Sequence, residues 1–385
     1  MAYFGNDTVN RLNLHYAIHA LATTGGGAFF GAFLLRAGIP APGVFAALAL
    51  ILAGRFTVRP AIVVLAKRWG LQPLVIAGTV IGAVQYPLLA QVHGVDASLF
   101  VWCVVSAIGE TLYWTSYHAY FAALGDDEHR GHQIGAREAI AALVGIFGPL
   151  AAGWGLTHLG AQITFGATAA VLAAAALPIL KTPNVLIAAT AGGAFHASLK
   201  GVLLFAADGW IGAGIFYVWQ IALFVTLGEN YTAFGGAMAL SALVGAILGL
   251  LLGRSIDQGH GRRAVWLAVS ALVVVIAFRA GSYGNPVLAV AANAAGALVT
   301  SLYIPTLMTA VYNQAKGSPC ALRFHIATEG GWDAGCAGGC LTAAALIWAG
   351  APLSFGILPA LLGAGAMAVM LGRYYGKPTA TGAPS

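Results

Sequence analysis

Long apolar stretches separated by short polar breaks run through the whole 385-residue chain. The hydrocarbon core of a bilayer needs roughly 20 apolar residues per helix, so each stretch is long enough to cross a membrane. The pattern predicts twelve spans, at residues 12–36, 40–66, 70–93, 97–124, 133–159, 161–181, 200–228, 231–253, 262–283, 285–315, 321–349 and 352–376. The expected fold class is therefore an all-α membrane protein.

Composition supports this class and excludes a globular one. Hydrophobic residues make up 59% of the chain, charged residues 8%, and the mean hydropathy is +0.84. A soluble domain carries about 25% charged residues, so most of this surface is expected to face lipid. The compact loops and the richness in alanine and glycine favour a bacterial inner membrane.

The basic residues are distributed unevenly between the predicted connections. Those expected on the side of the two termini are Lys67, Arg68, Arg130, Lys181, Lys200, Arg254, Arg262, Arg263, Lys316, Arg323, Arg373 and Lys377. Only Arg36 and Arg279 mark the other side. Basic loops stay in the cytoplasm, so both termini are predicted to be cytoplasmic. The formal charge of +6 thus reflects topology and not nucleic-acid binding.

The chain contains a short internal sequence repeat that indicates two similar halves. A short segment ending at Glu138 opens an apolar helix with glycines, and a similar segment ending at Glu329 recurs 191 residues later. The expected organisation is a six-helix bundle at 1–181, a cytoplasmic linker at 182–199 that could hold a short surface helix, and a second six-helix bundle at 200–385.

The connection between spans eight and nine resembles the loop motif of the major facilitator superfamily. The matching residues are Gly253, Asp257, Gly261, Arg262 and Arg263, with one extra residue after the acid. The resemblance covers essentially the whole chain and implies two pseudo-symmetric bundles that work by alternating access. The equivalent first-half loop departs from the pattern, because Lys67 stands where the family has its acid.

Span five carries Gly148 and Pro149 in a segment similar to the signature of the superfamily's exporters. Small residues let helices approach closely, and proline can kink a helix at a rocking interface. The segment favours export, although ordinary packing of small residues explains it equally well.

Ionisable residues inside the predicted spans are the main candidates for function. A charge near the bilayer centre costs at least ~2.5–3.5 kcal/mol, so each needs a partner, water or a role. Arg55 and Arg59 lie one turn apart on span two; each could bind an anionic group or pair with an acid. Glu110 on span four could carry a proton or neutralise Arg55, and Asp208 on span seven is a second proton candidate.

Further candidates for substrate binding share faces with these charges. Together with Arg55 they are His19, Trp114, Tyr117, His118, Trp219, Gln220 and Tyr303. On span seven, Gly212, Phe216, Trp219 and Gln220 are expected on a similar face. The aromatic residues could line a cavity for a flat ligand or serve packing.

Span eleven carries a polar stripe with helical spacing: His325, Glu329, Asp333, Cys336 and Cys340. Three interpretations remain open. The stripe could be a polar seam facing span eight, with Glu329 as the counterpart of Glu138; it could carry protons through Glu329 and Asp333; or it could supply ligands for a divalent or soft metal ion.

The leading interpretation is a secondary transporter that exports a small organic solute in exchange for protons. Alternatives are a proton-coupled importer of an organic anion, a divalent metal-ion transporter and a non-transporting scaffold. No phosphate-binding or hydrolase motif is evident, so an enzyme is not expected. The proton gradient is the expected energy source without any cofactor, and a monomer is expected.

Overall fold

The computed structural model describes residues 7–124, 130–187, 190–256 and 261–376, and the helices within them follow the twelve predicted spans in order. We number them α1 (Asp7–Arg36), α2 (Ala41–Trp69), α3 (Leu71–Leu89), α4 (Ala97–Leu124), α5 (Arg130–His158), α6 (Ala161–Ile179), α7 (Leu199–Thr226), α8 (Tyr231–Ile256), α9 (Gly261–Ser282), α10 (Pro286–Lys316), α11 (Ala321–Trp348) and α12 (Leu353–Tyr375). A short helix, Ala194–Ala197, precedes α7. Among the described residues, ten helices are long and apolar enough to cross a membrane, and α5 and α11 complete the set by position.

The two halves repeat one packing scheme. In the first half α1 packs on α5 and α6, α2 packs on α4, and α3 packs on α4 and α6. Shifting each number by six gives the most extensive pairs of the second half: α7 with α11 and α12, α8 with α10, and α9 with α10 and α12. The fold therefore consists of two pseudo-symmetric six-helix bundles.

The halves meet along two helix pairs, α5 with α8 and α2 with α11. We call the end at which α1 begins and α12 ends the terminal face, and the other end the opposite face. Near the opposite face small residues bring α5 and α8 together: a Cβ on Gly153 would lie 2.5 Å from the Tyr231 carbonyl oxygen, and one on Gly235 would lie 2.3 Å from that of Pro149. Larger residues at these glycines would separate the halves.

Two central helices are irregular where the halves approach each other. In α1 the segment Gly26–Phe29 is a tightly wound 3₁₀ turn, and in α7 the segment Ala213–Val218 is a wider π-helix. Just beyond the first and within the second, the rings of Phe30 and Tyr217 lie 6.3 Å apart. Irregular winding of this kind changes which face of a helix points at its neighbours.

The linker is fastened to the turn between α2 and α3, the loop that lacks the family acid. The Asn184 side chain accepts a hydrogen bond from the Gln72 backbone N–H (3.2 Å) and donates one to the Trp69 carbonyl (2.8 Å). Gly70 in this turn has φ +86°, and a Cβ there would collide with the Asn184 side chain. A linker amide thus joins the end of α2 to the start of α3.

Candidate functional site

The centre of the site is a cluster of buried charges at the contact between α2 and α11. Arg55 and Arg59 come from α2, Glu110 and Thr115 from α4, and Glu329 and Asp333 from α11. At 1.5 Å per residue, Arg59 and Glu329 lie about 12–15 Å from the terminal-face ends of their helices. The cluster therefore lies inside the membrane-spanning part of the fold.

Arg59 joins the two halves. Its guanidinium binds Glu329 and Asp333 in close ion pairs, and its Nε lies 3.1 Å from Asp333 Oδ2. It also donates to the Thr115 hydroxyl at 2.9 Å, whose oxygen lies 3.4 Å from Glu329 Oε2. One first-half cation thus holds two second-half carboxylates.

Arg55 extends the cluster by one turn. Its Nη1 donates to Glu110 Oε2 at 2.6 Å, and its Nε lies 2.9 Å from Asp333 Oδ1, close enough for an ion pair but without hydrogen-bond geometry. The guanidinium carbon also lies 5.8 Å from the centroid of the Trp332 ring, within cation–π range. One alternative predicted from the sequence is that Glu110 neutralises Arg55, and the two side chains do form an ion pair.

The three carboxylates of the cluster differ in exposure. The side chain of Asp333 is 0% exposed, that of Glu329 16% and that of Glu110 35%. The two glutamates are therefore partly open at the edge of the cluster, and the aspartate is enclosed. With every group ionised, three carboxylates and two guanidiniums leave a net charge of −1.

A second polar site lies within the second half. Asp208 on α7 accepts a hydrogen bond from the Tyr303 hydroxyl of α10 at 2.8 Å, and the Trp332 side chain lies beside the same carboxylate. Trp332 also faces Arg55. The sequence candidates Asp208 and Tyr303 are therefore brought together, and Trp332, which sequence reasoning missed, stands between them and the central cluster.

The aromatic candidates of the first half form one connected cluster of rings. His19 lies parallel to Tyr113, with ring centroids 3.8 Å apart, and Tyr113 stacks on Tyr117 at 5.4 Å. Trp114 packs edge-on to His19 and stacks with His118 at 5.6 Å. His19 and Tyr117 are buried inside the half. His118 is exposed and lies close enough to Glu329 for an electrostatic interaction. Of this group, Trp114 is partly exposed and His118 is exposed.

Two neighbouring candidates on α7, Trp219 and Gln220, are expected on a similar face but have different surroundings. Trp219 is buried in the second half, where its indole N–H donates to Asn293 at 2.9 Å. Gln220 instead lines a small cavity between the halves together with Tyr217, Phe30 and Leu48. Both residues lie in the regular helical segment Trp219–Thr226 that follows the π-helix. Successive side chains of an α-helix point about 100° apart, so these two neighbours face different parts of the structure.

The polar stripe of α11 faces α2 and not α8, because its carboxylates bind the arginines of α2. The prediction that it faces α8 is wrong. His325 lies near Glu329, while Cys336 and Cys340 are buried further along the helix. No group of three or more metal-ligating side chains occurs within the described ranges, and the carboxylates that a metal would need are paired with guanidinium groups.

The small residues predicted on α5 lie at a three-helix contact. A Cβ on Gly148 would meet the Gly25 backbone nitrogen of α1 at 3.1 Å, and the Pro149 carbonyl faces Gly235 of α8. Among the motif residues between α8 and α9, Asp257 lies outside the described residues. Gly253, Gly261, Arg262 and Glu138 lie in described helices, but their surroundings are not described; Arg263 is exposed near the start of α9.

These features define a two-bundle helical transporter with a charged contact between its halves. The sequence model of the Major Facilitator Superfamily matches residues 12–319, and the chain belongs to this superfamily of secondary transporters. No curated protein sequence matches the chain.

Solved structures of similar fold include two kinds of transporter. A mutant of the nucleoside transporter NupG has a TM-score of 0.69 at 14% identity, covering 96% of this chain and 99% of its own. An auto-inhibited peptide transporter of the POT family has a TM-score of 0.67 at 13% identity, covering 98% and 99%. The POT family transporter PepTSo has a TM-score of 0.67 at 11% identity, covering 96% and 99%. At these identities the likeness concerns the fold alone.

Proposed function

We propose that this protein exports a small organic solute from the cytoplasm of a bacterium in exchange for protons, working by alternating access in the inner membrane with both termini in the cytoplasm. The observation that carries the proposal is the five-charge cluster joining α2, α4 and α11 across the two halves. A charge cluster inside a membrane is costly to maintain, and such residues usually serve transport.

The cluster suggests how protonation is coupled to movement of the halves. When Glu329 binds a proton, it loses its ionic attraction to Arg59, and the contact between α2 and α11 weakens. A ligand shifts a conformational equilibrium only by its differential affinity for the two states, and a proton on Glu329 has such a difference. Asp333, which is enclosed, keeps both arginines paired while this happens.

The charge balance favours one proton per cycle through the cluster. With all groups ionised the cluster carries a net charge of −1, and one proton brings it to neutrality. A neutral cluster costs less to expose in the low-dielectric interior as the halves separate. Glu110 and Glu329 are the candidate proton carriers because both are partly exposed, and Asp208 is a further one.

Export and an organic solute have separate support. The exporter-like segment around Gly148 and Pro149 lies where α5 meets α1 and α8, so changes there act directly on the contact between halves. The structural neighbours are named as nucleoside and peptide transporters, which is consistent with a small organic solute. Trp114, His118 and Gln220 are the proposed solute contacts. Arg55 is engaged by Glu110 and Asp333, which disfavours its use as an anchor for an organic anion.

The experiment is proton flux in proteoliposomes loaded with a pH-sensitive dye, challenged with cationic, neutral and anionic organic solutes. We expect wild-type protein to move protons in response to one solute class, and Glu329→Gln to lose this response while still binding the solute. Asp96→Asn, an exposed carboxylate of the connection between α3 and α4, is the matched control and should behave as wild type. Unchanged proton movement in both Glu329→Gln and Glu110→Gln would refute coupling through the cluster.

A further inference from the structure

An open groove runs along the outer surface of the first half, between α1 and α6 near the terminal face. Its volume is about 490 Å³. Apart from two cations, its lining is apolar: Leu14 and Ile18 from α1 and Ala174, Leu177, Pro178 and Leu180 from α6 and the residue after it. Leu14, Leu177 and Leu180 are more than half exposed, so this wall is open to whatever surrounds the helices.

The groove lies beside a point where α6 is interrupted before its end. The helix stops at Ala174 and resumes as a single turn, Ala176–Ile179, that contains Pro178. At the interruption, a ring nitrogen of His15 donates to the Ala175 carbonyl at 2.6 Å. The other ring nitrogen lies 3.0 Å from the Tyr113 hydroxyl, which fixes the imidazole. A buried side chain of α1 thus holds the interrupted part of α6, and the groove is a built feature of the fold.

The two cations lie at the same end of the groove. Arg11 stands one turn before Leu14 near the start of α1, and Lys181 follows the end of α6. Because the helices are antiparallel, both cations mark the terminal face, and the apolar wall runs deeper from there. Ile18 lies seven positions after Arg11, which corresponds to about 10 Å of apolar wall below the charges.

We infer that this groove binds an anionic phospholipid, with the phosphate between Arg11 and Lys181 and one acyl chain along the leucine wall. An apolar trough in lipid contact with cations at headgroup level complements a ligand that is anionic at one end and apolar along its length. Clusters of basic residues near a membrane surface attract anionic lipids. The site is separate from the charge cluster between the halves and does not depend on the proposed transport activity.

One acid competes for this headgroup. Asp7 lies 2.9 Å from Arg11 in an exposed ion pair one turn away on α1. A lipid phosphate must share Arg11 with this carboxylate or displace it. Removing the acid should therefore strengthen lipid binding, which a purely structural pair would not do.

The experiment measures lipid adducts by native mass spectrometry of protein exchanged from detergent into mixtures of phosphatidylglycerol and phosphatidylcholine. We expect wild type to retain phosphatidylglycerol selectively, and Arg11→Gln with Lys181→Gln to reduce its apparent affinity about tenfold or more. The matched control is Lys67→Gln with Arg68→Gln, two exposed basic residues at the end of α2 on the same face, which should change it less than about twofold. Asp7→Asn should raise the affinity.

Two further arms test the lipid itself. Ala174→Trp fills the groove and should reduce phosphatidylglycerol binding with both cations in place. Inorganic phosphate at millimolar concentration should not displace the lipid adduct. Equal losses in the Lys67/Arg68 control, unchanged binding in Ala174→Trp, or displacement by inorganic phosphate would each overturn the proposal, the last by assigning the site to a free anion. Thermal unfolding of each variant separates loss of the site from loss of the fold.

Discussion

Two sets of buried arginines, on α2 of the first half and α9 of the second, have opposite surroundings. Arg55 and Arg59 on α2 are held by three carboxylates, two of which come from the other half. Arg279 on α9 is equally buried, yet no carboxylate within the described residues pairs with it. Its Nη1 donates to the Ile215 carbonyl at 2.7 Å, and its guanidinium lies 5.2 Å from the Trp219 ring centroid.

This difference separates a charge that can be switched from one that cannot. A carboxylate partner can take up a proton and release its arginine, whereas a backbone carbonyl and an indole ring keep their character at any working pH. Arg279 also binds within its own half, to the π-helix of α7, so its contacts are not interrupted when the halves move apart. The α2 arginines thus suit coupling between the halves, and Arg279 suits fixing the winding of α7.

The largest effect is expected for Arg59→Gln. This change leaves Glu329 and Asp333 without their shared cation, and removing one partner of a buried ion pair costs about 3–5 kcal/mol. Unfolding in mixed detergent micelles should show this loss, and Asp333→Asn in the same chain should recover part of it. Arg68→Gln, at an exposed position on the same helix, is the control. A stability loss that Asp333→Asn does not reduce would contradict ionic pairing.

A smaller effect is expected for Arg279→Met, which removes the donor to Ile215. Leaving a buried carbonyl without a partner costs about 1–3 kcal/mol. The same unfolding measurement should show this loss, and neutralising Asp208, the acid of α7, should not recover it. Recovery by Asp208→Asn would mean that Arg279 has an acidic partner after all and would remove the contrast between the two regions.

The space around Arg279 gives a third test. A Cβ on Gly296 of α10 would lie 2.0 Å from Arg279 Nη2. Gly296→Ala should therefore displace the guanidinium and lower the free energy of unfolding by about 1–2 kcal/mol, as overpacking does. Gly281→Ala on α9 is the matched control, because a Cβ there meets nothing within 4 Å. The two variants should differ in sign, since alanine favours helix over glycine in open space.

The smallest effect is expected for Thr115→Val. Its hydroxyl accepts from Arg59, but Arg59 retains both carboxylates without it. The loss of one such hydrogen bond costs about 0.5–1.5 kcal/mol. Solute-driven proton flux should be retained in this variant. Loss of flux with an intact fold would show that Thr115 belongs to the proton path.

The sequence predicts the helices well because membrane helices are long and uniformly apolar. It also anticipates the pair between Arg55 and Glu110, since a buried charge requires a partner. It does not identify Asp333 as the shared partner of both arginines, because that contact joins residues more than 270 positions apart. It also places Trp219 with Gln220 on a similar face, whereas Trp219 packs inside the second half and Gln220 lines the cavity between the halves.

The fastening of Asn184 to the turn after α2 has a consequence for biosynthesis. The hydrogen bonds that close this turn, from Asn184 to Trp69 and Gln72, are made by residues that are synthesised before α7. Units of a chain generally fold in the order of their synthesis. The first bundle can therefore be completed while the second is still being made, and the linker acts as its closing segment during co-translational insertion.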